Sequence, residues 1–182
     1  MTTEQVILVN KEDQTVGVME KLEAHQKGLL HRAFSVFIFD NKGRMLIQQR
    51  SQQKYHGAGL WTNACCSHPL PHESTENAAG RRLFEELGFT TSLEKVFEFL
   101  YHSEVENNLI EHEFDHVFAG EYDGAINVNP LEVSDFCYKD LQEIKWSMQE
   151  QPHKFSSWFK LAFPAIETWW HQQYRNQNKV ET

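Results

Sequence analysis

The run of apolar and β-favouring residues at 32–39, RAFSVFIF, places the strongest constraint on how this chain can fold. A strand with one solvated face alternates apolar and polar side chains, whereas an almost unbroken apolar strand is covered on both faces. The turn signal Asp40-Asn41-Lys42-Gly43 follows, so residues 44–50 are predicted to return as the second arm of a hairpin. We therefore expect a sheet that is covered on both sides.

The remaining predicted elements mix strands with helices. A helix is expected after residue 72, with Ser74 as its N-cap and Gly88 just past its C-terminal end. Glycine and proline breakers leave residues 51–72 irregular in this prediction. The mixture indicates an α+β fold, an α/β sandwich, as a single domain over residues 1–182. Further strands are predicted at 5–10, 95–102, 109–119 and 133–138, and further helices near Asp140 and in the 160s.

Composition and charge exclude several classes of protein. The net charge of −9 argues against a general nucleic-acid binder. The three cysteines, with Cys65 and Cys66 adjacent, do not make a disulfide framework, and reduced thiols indicate the cytoplasm. The sequence shows neither a signal-peptide pattern nor an apolar stretch that would cross a bilayer. We expect a cytoplasmic monomer or small homo-oligomer without membrane or nucleic-acid partners.

Acidic residues alternate within the predicted strand 109–119. Because successive side chains of a strand point to opposite faces, Glu111, Glu113 and Asp115 share one face. A solvent-facing acidic edge is the simpler interpretation of this pattern taken alone. Like charges on one face repel each other, however, and a bound metal ion would remove that penalty.

Three histidines extend the case for a metal ion. His31 stands at the edge of the buried strand, His25 precedes it, and His68 lies in the irregular segment. Any one of them alone is more often a structural or surface histidine than a ligand. Together with Glu111 and Glu113, they would form a mixed nitrogen and oxygen site suited to Mg²⁺, Mn²⁺ or Zn²⁺.

Basic side chains offer contacts for a phosphate group. Arginine can bind phosphate through two parallel hydrogen bonds, and lysine acts as a point charge. An acidic protein needs a local basic cluster for such a site, and scattered surface cations are the alternative interpretation. The candidates are Lys21, Arg50, Lys54 and Arg82, the last of which shares a helical face with Glu86.

The segment Glu73–Phe89 resembles the Nudix box, G-x5-E-x7-R-E-U-x-E-E-x-G-U, in which U is an apolar residue. Ser67 stands in place of the first glycine, and Arg82 stands in place of the glutamate that follows the arginine. These departures weaken the case for ordinary Nudix hydrolysis, because that glutamate helps to hold the metal ions of the hydrolases. The residues that match are Glu73, Arg81, Leu83, Glu85, Glu86, Gly88 and Phe89.

Over nearly its whole length, the chain is similar to type I isopentenyl-diphosphate isomerases, a family with the Nudix fold. Each shared fragment is unspecific alone, but their order and combination are highly specific. The fragments are Leu22-Glu23-Ala24-His25, His31-Arg32-Ala33-Phe34-Ser35, Leu60-Trp61-Thr62-Asn63, Cys66-Ser67-His68-Pro69, Glu111-His112-Glu113 and Phe155-Ser156-Ser157-Trp158.

This resemblance implies an enzyme of isoprenoid biosynthesis that interconverts isopentenyl and dimethylallyl diphosphate. It implies one protein-held divalent ion, Mn²⁺, Mg²⁺ or Zn²⁺, and a Mg²⁺ ion that arrives with the substrate diphosphate and meets Glu86. Cys66 and Glu113 match the proton-transfer pair of the family, and Tyr101 matches an assisting hydroxyl. The matches to its protein ligands for metal are His25, His31, His68, Glu111 and Glu113. The matches to its substrate contacts are Lys21, Arg50, Lys54, Arg82 and, facing the isoprenoid, Trp158.

Two other functions fit a Nudix-like chain. A Nudix diphosphohydrolase would release phosphate or a nucleoside monophosphate from its substrate. A non-catalytic ligand sensor would be stabilised thermally by a ligand that it does not turn over. Cys66 argues against a sensor, since sensing a diphosphate requires no thiol.

Overall fold

Nine strands and four helices make up the part of the chain that the computed structural model describes, which is residues 4–180, with side chains described as far as residue 173. The strands are β1 (Gln5–Val9), β2 (Thr15–Glu20), β3 (His31–Phe39), β4 (Met45–Arg50), β5 (Trp61–Thr62), β6 (Cys65–Ser67), β7 (Glu94–Val105), β8 (Leu109–Glu121) and β9 (Val133–Lys139). The helices are α1 (Lys21–Lys27), α2 (Thr75–Leu87), α3 (Leu141–Glu150) and α4 (Ser157–Val180), with single 3-10 turns at Glu106–Asn108 and Pro152–Lys154.

Strand β3 lies at the centre of the sheet, as its apolar sequence predicted. Every residue of β3 is buried except Arg32, which is half-buried. On one side it pairs in parallel with β8, with His31 opposite Glu113 and Phe39 opposite Glu121. On its other side it pairs in antiparallel fashion with β6. The register between β3 and β8 therefore determines which polar residues meet at the beginning of β3.

The side chains of β3 alternate between two apolar cores. Phe37 and Phe39 belong to the core formed with α3 and α4, whereas Phe34, Val36 and Ile38 belong to the core formed with α2. Because helices cover both faces of this strand, neither face can carry the polar positions that a solvated strand would show. The α+β sandwich architecture predicted from the sequence is confirmed.

Helix α2 begins and ends where the sequence predicts. The N–H of Asn77 donates a hydrogen bond to Oγ of Ser74 at 3.2 Å, which caps the first turn. Gly88 ends the helix in the left-handed region at φ 75°, and its N–H donates to the carbonyl oxygen of Phe84. The strands expected at 5–10, 95–102, 109–119 and 133–138 are also confirmed, as is a helix that begins after Asp140.

The predicted hairpin of β3 and β4 is correct only at its turn. The two strands pair at Phe39 and Met45 and then diverge. The divergence follows from competition for partners, because β6 and β8 occupy the edges of β3, while β4 pairs with β9 and β5.

Several elements differ from the sequence prediction. Strands β5 and β6 lie within residues 51–72, which were expected to be irregular, because distant strands supply their hydrogen-bonding partners. Strand β2 and the seven-residue helix α1 were not predicted. Helix α4 begins at Ser157 and not in the 160s, because its first turns already bury side chains against the sheet. Within residues 4–180, no helix has both the length and the apolar character to cross a membrane.

Two glycines of the α2 region should respond to alanine in opposite directions. A Cβ at Gly88 would lie 2.5 Å from the carbonyl oxygen of Asn127, on a backbone with φ of 75°, whereas a Cβ at Gly80 would meet nothing within 4 Å. We expect Gly88→Ala to lower the free energy of unfolding by more than about 1 kcal/mol. Gly80→Ala, in the helix interior, should raise it by about 0.5–1 kcal/mol. Urea unfolding of both variants checks this, and changes of the same sign would contradict it.

Candidate active site

The acidic face of β8 is buried. Glu111, Glu113 and Asp115 are 3%, 7% and 1% exposed, so the interpretation of this pattern as a solvent-facing edge is wrong. Within the sheet, β8 pairs with β3 along one edge and with β7 along the other, with Tyr101 opposite Glu113. Three buried carboxyl groups on one face require protons or positive partners, because an isolated buried charge is very costly.

Histidines from three elements meet two of these carboxylates. His25 is supplied by α1, His31 by the first position of β3, and His68 by the residue after β6. One ligand atom from each side chain lies within 4.8 Å of the corresponding atoms of the others, and all five side chains are buried. The structure thus brings together the complete predicted ligand set, which is His25, His31, His68, Glu111 and Glu113.

Two of the histidines are oriented as metal ligands. Nδ1 of His25 lies 2.7 Å from the carbonyl oxygen of Lys21, and Nδ1 of His31 lies 2.8 Å from that of Leu29. A carbonyl oxygen only accepts hydrogen bonds, so each Nδ1 carries a proton, and Nε2 is the nitrogen that presents a lone pair when the ring is neutral. Nε2 of His25 is buried without a hydrogen-bond partner. This arrangement fits a divalent ion, for which a backbone carbonyl commonly orients the ligating ring.

The protonation states of two other ligands also suit a cation. Burial, together with the nearby His31 and Lys21, holds the pKa of His68 well below its usual value, so the ring is neutral. Burial alone would raise the pKa of Glu113, but its interactions with His31 and with the Tyr101 hydroxyl lower it to about 2. A neutral imidazole and an ionised carboxylate are the forms in which these groups bind metal.

Most of the predicted site residues line one cleft beside the metal cluster. His25 and His31 are fully buried behind it. Glu86 is buried below Arg82, with Oε1 accepting from Nη2 of Arg82 at 2.8 Å and Oε2 accepting from Nε2 of Gln48 at 2.9 Å. The predicted residues that line the cleft are Lys21, Arg50, Lys54, Cys66, His68, Arg82, Tyr101, Glu111, Glu113 and Trp158.

The cleft holds a protonated thiol and a hydrogen-bonded carboxylate. Cys66 is opposite Ser35 in the pairing of β6 with β3, and burial raises the pKa of its thiol to about 12. The hydroxyl of Tyr101 donates to Oε2 of Glu113 at 2.6 Å. Burial and the charge of Glu113 raise the pKa of Tyr101 well above its usual value, so the hydroxyl keeps its proton. The Cys66 thiol and the Glu113 carboxylate therefore line the same cleft.

The four predicted cations converge on this cleft, so they are not scattered surface charges. Each already has a partner in the protein. Arg50 donates to the carbonyl oxygens of His56 and Gly57 at 3.0 and 3.1 Å. Lys54 pairs with Glu132, and Lys21 pairs with the exposed Glu4, while Arg82 pairs with Glu85 and Glu86. These contacts hold the cations near the cleft while leaving N–H groups for an anionic ligand.

The sequence analysis missed two polar side chains that contact the buried carboxyl groups, His56 and Ser35. Nε2 of His56 lies 2.5 Å from Oε1 of Glu111, and His56 also lines the cleft. The buried carboxyl of Asp115 accepts a hydrogen bond from Oγ of Ser35 at 2.7 Å. His56 stands in a glycine-containing loop without periodicity, where the only signal was its position two residues after a candidate cation. Ser35 lies within the apolar strand itself, as a polar residue at a fully covered position.

Known proteins share both the sequence and the fold. The NUDIX domain family matches residues 29–159 of the chain. The isopentenyl-diphosphate Delta-isomerase of Serratia proteamaculans is 49% identical over 171 residues, which cover 91% of this chain and 96% of that protein. The chain belongs to the isopentenyl-diphosphate Delta-isomerase family of NUDIX proteins. The isomerase of Pectobacterium atrosepticum is similarly related, with 46% identity over 93% of this chain and 95% of that protein.

Solved structures confirm the NUDIX fold. The DR0079 protein of Deinococcus radiodurans superimposes with a TM-score of 0.68 over 81% of this chain and 90% of its own, at 19% identity. The MutT protein of Methanosarcina mazei has a TM-score of 0.63 over 76% of this chain and 94% of its own, at 18% identity. At these identities the likeness concerns the fold alone, and the isomerase relatives give the family.

Divalent ions should stabilise the folded protein through the five-residue cluster. We expect Mn²⁺ at a hundredfold excess over its dissociation constant to raise the free energy of unfolding by about 3 kcal/mol, since the unfolded chain has no such site. His68→Ala should lose this ion-dependent gain. Glu86→Gln, which changes a buried carboxylate outside the cluster, should retain it. Thermal unfolding with and without Mn²⁺ measures the effect, and an equal ion-dependent gain in wild type and His68→Ala would contradict the assignment.

Proposed function

We propose that the protein interconverts isopentenyl diphosphate and dimethylallyl diphosphate by adding a proton to one carbon and removing a proton from another. One observation carries this proposal. The Cys66 thiol and the Glu113 carboxylate line the same cleft, with the basic cluster also facing it and the metal cluster beside it. The isomerase relatives, which span nearly the whole chain, support the same reaction.

The reaction needs an acid and a base at two different carbons. Isopentenyl diphosphate is an unactivated alkene, and proton transfer to its terminal CH₂ carbon leaves a tertiary carbocation. Loss of a proton from the CH₂ group on the other side of that cation forms the new double bond and gives dimethylallyl diphosphate. Cys66 and Glu113 are our candidates for these two transfers. One of them gives a proton and the other takes one, and exchange with solvent restores the starting state.

The five-residue cluster is assigned to a protein-held divalent ion, Mn²⁺, Mg²⁺ or Zn²⁺. Such an ion, when bound, fixes the orientation of Glu113 and tunes its acidity. Tyr101 supports the same carboxylate from the other oxygen through its hydroxyl. Glu86 is assigned to a Mg²⁺ ion that enters with the diphosphate, and its present hydrogen bonds to Arg82 and Gln48 would then be exchanged or shared.

The diphosphate is assigned to the four cations of the cleft, which are Lys21, Arg50, Lys54 and Arg82. Their carboxylate and carbonyl partners keep them in place in a protein of net charge −9. This local cluster supplies the attraction that the overall charge opposes. Binding the charged end of the substrate here would direct its five-carbon chain toward Cys66, Glu113 and Trp158.

Trp158 is assigned to the isoprenoid end of the cleft. Its side chain is 5% exposed, and the guanidinium of Arg50 lies 5.1 Å from its ring centroid, so the ring already accepts a cation in this environment. An aromatic face can stabilise a carbocation without forming a bond to it, by about 2 kcal/mol or more when desolvated. Trp170 instead stacks on Phe39 at a centroid distance of 3.9 Å, so this ring belongs to the core and not to the cleft.

Hydrolysis is disfavoured by the same residues that depart from the Nudix box. Arg82 occupies the position of a metal-binding glutamate, and its guanidinium donates to Glu85 and Glu86 at 2.8 Å each. The helix therefore has one carboxylate fewer than that of a hydrolase, and Arg82 adds a positive charge beside the two that remain. A thiol that acts as acid or base must also stay reduced, and Cys66 is free in the structure. We therefore place the enzyme in the cytoplasm. We also propose that it is a monomer or a small homo-oligomer.

Cys66 and its neighbour Cys65 form a matched pair for testing the proposal. Cys66 faces the cleft, whereas Cys65 is fully buried in the core beside α2. Cys66→Ala should lower kcat by a factor that equals or exceeds the ~10²–10⁴ typical of losing a general acid or base. Cys65→Ala should keep activity within about tenfold of wild type, with a loss of stability from its buried position. The assay follows formation of the allylic isomer and, in parallel, release of phosphate. Near-normal isomer formation by Cys66→Ala would refute the assignment.

The ring of Trp158 should matter more to the carbocation than to the bound substrate. Phe keeps an aromatic face with a weaker π-system, and Leu keeps only apolar bulk. We expect kcat to fall in the order Trp158, Trp158→Phe, Trp158→Leu, while the affinity for substrate changes less, because the cation exists only near the transition state. A tertiary ammonium diphosphate, which imitates the cation, should lose more affinity than the substrate. Equal losses for the two ligands would leave Trp158 as a packing residue.

A further inference from the structure

His56 contacts a carboxylate of the metal cluster from outside the cluster. Its Nε2 lies 2.5 Å from Oε1 of Glu111, which is close enough for the ring to donate a hydrogen bond to that oxygen. The other oxygen, Oε2 of Glu111, lies 3.4 Å from Nε2 of His25 on the opposite side. The two oxygens of Glu111 therefore have separate partners, one within the ligand set and one outside it.

The position of His56 is set by the backbone around it. Nη2 of Arg50 donates to the carbonyl oxygen of His56 at 3.0 Å, and Nε of Arg50 donates to that of Gly57 at 3.1 Å. The N–H of Gly57 donates to Oε2 of Glu106 at 3.1 Å, on a backbone with φ of 59° that favours glycine. Three hydrogen bonds thus hold the backbone of this turn, and the imidazole that it carries is only 8% exposed.

We infer that His56 is a positioning residue, which orients Glu111 so that its other oxygen faces the metal ion. This inference rests on the metal site of the proposed function. A carboxylate that accepts an N–H hydrogen bond on one oxygen is held to single-oxygen coordination through the other, and it loses less freedom when the ion binds. The five mutually close ligand atoms come from His25, His31, His68, Glu111 and Glu113. His56 is therefore outside the ligand set and contacts it through Glu111.

The geometry also links two parts of the site that are distant in sequence. Arg50 holds the backbone of the 56–57 turn and lies against Trp158, while the side chain at the same turn holds Glu111. A single short loop thus connects a diphosphate contact, the aromatic wall and a metal ligand. Replacing His56 should disturb the metal ion while leaving the contacts of Arg50, which use only backbone carbonyls, in place.

The test uses two substitutions that differ in donor position. In His56→Gln the side-chain amide can place an N–H near the former Nε2, whereas in His56→Asn it reaches only the former Nδ1. His116→Asn is the matched control, because His116 is also buried and its Nε2 lies 2.9 Å from a carboxylate, that of Asp13, which is outside the cluster. The dissociation constant of Mn²⁺ alone is measured by competition with a chelator, on full-length proteins whose folding is checked by circular dichroism.

We expect His56→Asn to weaken Mn²⁺ binding by about 10–100-fold, the usual effect of losing a group that orients a ligand. His56→Gln should stay within about threefold of wild type, and so should His116→Asn. Unchanged Mn²⁺ binding by a folded His56→Asn would overturn the inference. Complete loss of the ion from His56→Gln, equal to the loss in His25→Ala, would also overturn it, because His56 would then be a ligand. If wild type and His25→Ala bind Mn²⁺ equally, the proposed metal site itself is wrong, and this result differs from a failure of His56 alone.

Discussion

Burial of three carboxyl groups on one face of β8 is the constraint on which the rest of the site depends. Glu111, Glu113 and Asp115 are almost completely covered, and burial penalises each charged form. The fold reduces this cost of burial in a different way for each group. Glu111 and Glu113 face three histidines, while burial and the charge of Glu113 raise the pKa of Asp115 well above its usual value. A divalent ion held between the first two and the histidines would supply the positive charge that these carboxylates need.

The parallel pairing of β3 with β8 explains why these groups meet. It brings the first residue of β3, His31, beside Glu113, and it allows Oγ of Ser35 to reach Asp115 two positions further along β8. The apolar remainder of β3 fills both cores, so a change of register by one residue would move all of its side chains to the wrong face. The stability of the sheet and the geometry of the site are therefore set by the same pairing.

Local signals made part of this structure predictable. The unbroken apolar sequence of β3 and the caps of α2, Ser74 and Gly88, depend on neighbouring residues, and these predictions were confirmed. The alternation in β8 showed that Glu111 and Glu113 share a face, but not that the face is buried, because burial depends on strands far away in sequence. For the same reason, β6 was not predicted: its three residues are a strand only because β3 lies beside them.

A resemblance to a family assigned roles to residues that the sequence pattern had offered only as candidates. It selected the same five ligands that the structure brings within 4.8 Å, although His25 lies on a helix that was not predicted. It did not select His56, whose contact with Glu111 depends on how the loop between β4 and β5 folds back over the site. Similarity thus assigned the cluster residues that the pattern had offered as candidates, whereas the contact between His56 and Glu111 was found only in the folded structure.

The most direct test of the account is an NMR measurement with isopentenyl diphosphate and Mg²⁺ in D₂O. Proton transfer to and from carbon predicts that the dimethylallyl isomer appears with deuterium in a methyl group and that the diphosphate remains intact. Cleavage of the diphosphate without the new isomer would show a hydrolase. Formation of the isomer without deuterium, under conditions in which the Cys66 thiol and the Glu113 carboxyl have exchanged with solvent, would contradict the assignment of these two residues.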